Sequence, residues 1–204
     1  MLTDGEVGMI IEDREILEKI KSLKQEFRKK EAPYLDISDH DFFSLILLMP
    51  GVSIALSNKS VSLREEHELN KKARRISKKS YFLKKDPVVS AMRFLIKSYK
   101  HWETPFLEVI RAAAEKFIYF DKLTDTATDV STLDKRDFEI AIARAPFLFI
   151  RMLILFFRLD GKEDLQEDMK VSGEELETMR AIGSSIGFDK TVIFRKLMDN
   201  FAVK

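Results

Sequence analysis

Carboxylates at regular spacing are the first residues in this chain whose types and positions suggest chemistry. Asp160, Asp164 and Asp168 recur four apart ahead of Val171-Ser172-Gly173-Glu174-Glu175. Asp121, Asp125 and Asp129 recur in the same way ahead of Val130-Ser131. On a continuous helix such acids share a face, where each like-charged pair costs roughly a few tenths of a kcal/mol. Carboxylate oxygens suit hard cations such as Ca²⁺. Asp160, Asp164, Asp168 and Glu175, with Glu65 from the matching signal Val61-Ser62-Leu63-Arg64-Glu65, are therefore the candidate ligands of a divalent cation. An EF-hand is excluded: it needs glycine sixth and glutamate twelfth, and counting from Asp160 those positions hold Leu165 and Val171. The other use of so acidic a junction is docking a basic protein partner.

The opposite charge collects elsewhere. Lys71, Lys72, Arg74, Arg75, Lys78, Lys79, Lys84 and Lys85 follow one another with no acid between them. The apolar positions of the same helix, Leu69, Ala73 and Ile76, form only a narrow stripe, which places it at the surface. Such a run is either a solvated face or an anion-binding one. In the second case Lys71, Lys72, Arg74, Arg75, Lys78 and Lys79 would meet a nucleic acid or an anionic membrane surface.

Catalysis finds no such support. His40, His67 and His101 are scattered, no glycine-rich phosphate loop occurs, and the absence of cysteine removes thiolate nucleophiles and thiolate metal sites together. Arg144, Arg151 and Arg158 recur every seven residues, but Pro146 separates the first from the others. Arg151 and Arg158 then lie on one side of a very apolar helix. Buried or half-buried pairing with acids such as Asp160 or Glu175 is the expectation, with a small anionic ligand as the alternative.

The elements that position these residues read as helices throughout. The chain has 204 residues, 45% hydrophobic and 34% charged, with 35 basic against 34 acidic side chains, which suits one core-forming domain without a global field. The apolar run from Pro146 to Phe157 is too short to span a bilayer and holds Arg151, so no transmembrane segment is expected. The acidic stretch Met1 to Asp13 offers no signal peptide, and a cytoplasmic protein is the reading. An amphipathic helix over residues 10–31 carries Ile16, Ile20, Leu23 and Phe27, and Ala32-Pro33 ends it, setting segment 1–33 apart from a domain over 34–204.

Ser38 caps a helix that Pro50-Gly51 interrupts before Val52 to Leu56. Ser62 and Glu65 form a capping box, and Ser172 should likewise accept the amide three residues on. Further helices start at Asp86-Pro87, at Thr104-Pro105, after Ser131, after Pro146, and at Asp189, which caps Lys190 to Phe201. No run alternates as a strand does. The expected fold is an all-α helical bundle of about eight or nine helices, and the repeated signal allows two related halves. Its centre should be the helices around Leu45–Leu56 and Phe147–Leu159.

An apolar helix, Asp160-Gly161, a spacer, Val171-Ser172-x-x-Glu175 and a helix ending Ile186-Gly187-Phe188 together resemble the repeated half of the tellurite-resistance TerB family, itself similar to the N-terminal domain of the DjlA co-chaperones. The likeness implies an all-helical domain over about residues 36–204. A C-terminal copy of the element would run from Phe147 to Met198 and an N-terminal copy from Phe42 to Ile76. In the latter Glu65 matches, while Asn58-Lys59 replaces Asp-Gly. The implied function is a non-enzymatic interaction or sensing module that takes a divalent cation through its acidic loop. An adaptor for an anionic partner at residues 71–85 is the second reading, and an enzyme whose residues assemble only in the fold is the third.

Overall fold

Local capping chemistry sets where most elements begin. The structure, a computed structural model, describes residues 1–78, 86–125, 127–158, 164–165 and 169–204. Among these residues the helices are α1 (Asp4–Ile11), α2 (Arg14–Lys30), α3 (Asp39–Leu47), α4 (Met49–Leu56), α5 (Leu63–Ile76), α6 (Pro87–Lys97), α7 (Tyr99–Phe117), α8 (Lys135–Arg144), α9 (Phe147–Phe157), α10 (Gly173–Ser185) and α11 (Val192–Asp199). Two three-residue strands, β1 (Met169–Val171) and β2 (Phe201–Val203), pair in parallel, with Met169 opposite Phe201.

The all-α bundle is as expected, with refinements that have physical causes. Residues 10–31 are not one helix. Thr3 and Glu6 make a capping box for α1, and the Asp13 carboxylate takes the amides of Glu15 and Ile16 to start α2. The chain breaks at Leu48, two residues before Pro50, because proline lacks the amide and its ring crowds the preceding turn. Helix α7 starts at Tyr99, not at Thr104-Pro105, and Pro105 lies inside it. There the burial of Trp102 and the bond from its Nε1 to Glu31 (3.1 Å) outweigh one missing backbone bond. Asp134 rather than Ser131 caps α8, and Thr191 rather than Asp189 caps α11, each holding the amide three residues on. The strand pair was not expected: three residues are too few to show an alternating pattern.

The centre of the bundle is α3–α4. Helix α3 packs on α1, α2, α5, α6 and α7, while α4 packs on α7, α9 and α10. The stretch Asp39–Leu56 is apolar enough, at a mean hydropathy of 1.3, to pass for a membrane span, yet 89% of it is buried in the fold. Helix α9 is buried from Phe149 onward except at Ile150 and Arg151, whereas Phe147 at its first position is 81% exposed.

Two aromatic clusters fill the core. Phe27, Phe42, Trp102 and Phe106 join α2, α3 and α7, and Phe149, Phe156, Phe157, Phe188 and Phe194 join α9 to the C-terminal helices. The apolar stripe of α2 packs into this same core, with Ile16, Ile20 and Phe27 all buried.

Candidate functional site

Helix α5 carries the expected anion-binding residues, and its start is fixed locally. The Ser62 amide and hydroxyl both donate to Glu65 Oε2, at 2.7 and 2.6 Å, and the Glu65 amide donates back to Ser62 Oγ at 3.3 Å. From there the 3.6-residue repeat turns Leu69, Lys72, Ala73 and Ile76 inward and leaves Arg64, His67, Lys71, Arg74, Arg75 and Lys78 exposed. Lys71 lies 3.7 Å from Glu68 one turn back, a solvated pair of small consequence. Lys79, the remaining member of the set, lies outside the described residues, as do Lys84 and Lys85.

Lys72 does not belong with them. It is 3% exposed, and its Nζ donates to the Leu155 carbonyl at 2.6 Å. Position 72 falls on the inward stripe, between Leu69 and Ile76. Leu155 is in the last turn of α9, where carbonyls lack helical donors and the helix dipole favours a cation. Lys72 is therefore a tie between α5 and α9, unable to reach a partner in solution.

The acidic set divides as well. Asp160 and Asp168 lie outside the described residues, and Asp164 is exposed. Glu175 repeats the role of Glu65: its carboxylate accepts the Ser172 amide, and Ser172 Oγ accepts the Glu175 amide at 3.1 Å. Among the described residues no group of three or more histidine or acidic side chains is arranged to hold a metal. Two members of the second acidic triplet are used in turns. Asp125 Oδ1 takes the amides of Ala127 and Thr128, and Asp129 Oδ1 takes the amide and hydroxyl of Ser131. The hydrogen bonds from Thr128 and Ser131 hold the two carboxyls below the ordinary aspartate value. Arg195 and Lys196 of α11 then pin this loop through the carbonyls of Asp125, Thr128 and Val130.

The structure brings the loop before the first serine signal into contact with the second. Ser172 Oγ donates to Asn58 Oδ1 at 3.0 Å, so the polar loop before the first signal reaches the second. Arg151 pairs differently from expectation. Arg151 meets Glu6 Oε1 at 2.7 Å, on a helix the sequence reading did not contain, and Arg158 is 1% exposed at the end of α9. Burial pulls the Glu6 carboxyl upward, but the Arg151 guanidinium and the Thr3 donors outweigh it and leave its pKa lowered.

One polar node escaped the sequence reading. His40 is 6% exposed; its Nε2 meets the Asp4 carbonyl at 2.9 Å and its Nδ1 faces Asp41 Oδ1 at 3.7 Å. Asp41, fully buried, accepts the Lys78 amide at 2.9 Å and the Ser38 hydroxyl at 2.6 Å. Burial depresses the imidazole, but the Asp41 carboxylate and the Asp4 carbonyl more than offset it and raise its pKa, with Lys78 opposing them. Only Ser38-x-x-Asp41 was visible in the sequence, as a cap.

Comparison of the chain with protein-family models, with curated proteins and with solved structures finds no match.

Proposed function

We propose that this protein is a non-enzymatic helical interaction module that docks an anionic partner on the outer face of α5. The observation that supports this is the partition of that helix. Arg64, Lys71, Arg74, Arg75 and Lys78 stand exposed, no acid interrupts them from Lys71 onward, and the one inward cation, Lys72, is occupied by α9. Fluorescence anisotropy with labelled heparin, a generic polyanion, tests it. Binding should weaken steeply with salt, and Lys71→Glu with Arg74→Glu should abolish it, each single substitution flattening the salt slope by about one unit. Salt-independent binding, or none at low salt, overturns it.

A second reading is a TerB-like sensor that takes a divalent cation at the acidic junction. The contact of Asn58 with Ser172 favours it, since it brings the loop before the first signal up to the second, beside Glu175. Thermal melts with millimolar Ca²⁺, Mg²⁺ or Zn²⁺ should then show a raised midpoint, because a ligand bound only by the native state stabilises it. An unchanged midpoint ends that reading and leaves a basic protein partner as the use of the junction. For either role we take the compartment to be the cytoplasm, which a cysteine-free chain suits.

A further inference from the structure

Between the end of α2 and the outer side of α6 lies an open groove of about 330 Å³, lined by Glu31, Ala32, Pro33, Tyr34, Leu35 and Phe94. Its wall is mostly apolar. Tyr34 is 99% exposed and Phe94 38% exposed, so two aromatic rings face solvent in one concavity. The one acid in the wall is turned to structural use: Glu31 Oε2 accepts the Ser98 hydroxyl at 2.7 Å and Oε1 accepts the Trp102 indole at 3.1 Å.

Cations surround these rings. Arg93 and Lys97 sit beside Phe94 on the exposed side of α6, and Arg28, Lys29 and Lys30 form the last turn of α2 immediately before the groove. Helix α6 packs against α5, whose outer cations are Arg64 and, two turns further on, the cluster Lys71, Arg74 and Arg75.

We infer that the anionic partner is an unpaired nucleic-acid strand, its phosphates tracked by α5 and the α6 cations Arg93 and Lys97, with a base seated against Tyr34 and Phe94. This rests on the reading of α5 as a polyanion dock and adds the class of polyanion. Three features separate it from other anions. Positive charge spread over two adjacent helices, Lys71, Arg74 and Arg75 on α5 and Arg93 and Lys97 on α6, fits a partner whose negative charge is also spread along its length. Exposed aromatic rings beside Arg93 and Lys97 offer stacking platforms that any base can use, and that a duplex, with its base faces covered, cannot. A lipid surface asks for a continuous face of protruding apolar side chains, whereas here Tyr34 alone stands out from a small concave patch and the apolar stripe of α5 is already buried against the core.

Trp102 supplies a local reporter. It is the sole tryptophan, and its indole is bonded to Glu31 in the groove wall, so a change in its emission is the expected sign that the groove is occupied. The experiment titrates the full chain with a short oligouridylate, a duplex RNA of equal length, polyglutamate, heparin and phosphatidylserine vesicles, reading both anisotropy and Trp102 emission. The expected result is tightest binding to the oligouridylate with a change in Trp102 emission. Tyr34→Ala should weaken that binding about 5- to 100-fold and leave heparin binding unchanged. Because Tyr34 is fully exposed, this variant should keep the parent melting temperature, and Lys97→Glu gives a second surface variant with the same expected direction. Equal binding of single strand and duplex with no effect of Tyr34→Ala overturns the inference and leaves the dock on α5. Binding of polyglutamate or vesicles without nucleic acid also overturns it. Failure of every polyanion, heparin included, removes the dock itself.

Discussion

The junctions at Ser62 and Ser172 share a local code and differ in their surroundings. Both serines accept the amide three residues on, and both glutamates return a carboxylate to the serine amide. The Ser62 box stands in solvent at the free end of α5. The Ser172 box is partly buried, follows the strand that pairs with β2, and donates across to Asn58. Sequence decides that a cap forms; the neighbours decide what else the same atoms hold. The stretches that hold these junctions, Asp39 to Lys78 as a first unit and Phe147 to Asp199 as a second, also depend on one another, since Asn58 reaches from the first to the second and Lys72 of α5 closes the last turn of α9.

The largest expected effect breaks that mutual support. Lys72→Met keeps the volume and removes the donor to Leu155, and urea unfolding should report a loss of about 2–3 kcal/mol, as for a charge-assisted bond to a group left buried. A loss no greater than that of an exposed lysine would mean the two units stand independently. Next is Gly183→Ala in α10. A methyl group there would sit 2.0 Å from the Phe194 ring, which Phe157 and Phe188 hold in place, so overpacking should cost about 1–3 kcal/mol. The α10–α11 packing of the second unit therefore has no room for even one added methyl group.

Ser172→Ala should cost about 1 kcal/mol or somewhat more, and Ser62→Ala about 1 kcal/mol or somewhat less. A double-mutant cycle with Asn58→Ala isolates the part that crosses between units, and that coupling should be present for Ser172 and absent for Ser62. The smallest effect concerns pH and only the first unit, whose exit at Lys78 is held by Asp41 beside His40. His40 has a folded pKa above its ordinary 6.5, so protonation favours the native state. That stability is fully present below about 6.5 and is lost as pH rises through the folded value. Hydrogen exchange at the Lys78 amide should quicken across that interval relative to the Gly187 amide, and His40→Gln should remove the difference.

Much of this fold was legible in the sequence because caps and breakers act locally. Ser38, Ser62, Asp86-Pro87, Pro146, Ser172 and Gly187 mark helix boundaries in the sequence and in the fold alike. The burial of α4 and α9 followed from apolar residues on all sides. What was not legible depends on partners distant in the chain. Pro105 reads as a helix start unless Trp102 is known to find Glu31. Lys72 reads as one more surface lysine unless the end of α9 is known to lie over it, although its place between Leu69 and Ile76 was a usable signal. His40 is invisible as a polar node because Asp4, which accepts its bond, belongs to a helix hidden in an acidic segment. There Thr3-x-x-Glu6 carries the same capping code as Ser62 and would have revealed it.

The packing of α9 on α4 also has a consequence in time. About ninety residues separate Leu56 from Phe147, and at about 5–20 residues per second their synthesis takes roughly 5–20 s. Through that interval the nascent chain holds a segment of membrane-like hydropathy whose face for α9 has no cover, because α9 is not yet translated. The period in which this ledge can stick to another unfinished chain is fixed by the length of the intervening sequence, and shortening α4 or α9 would not change it.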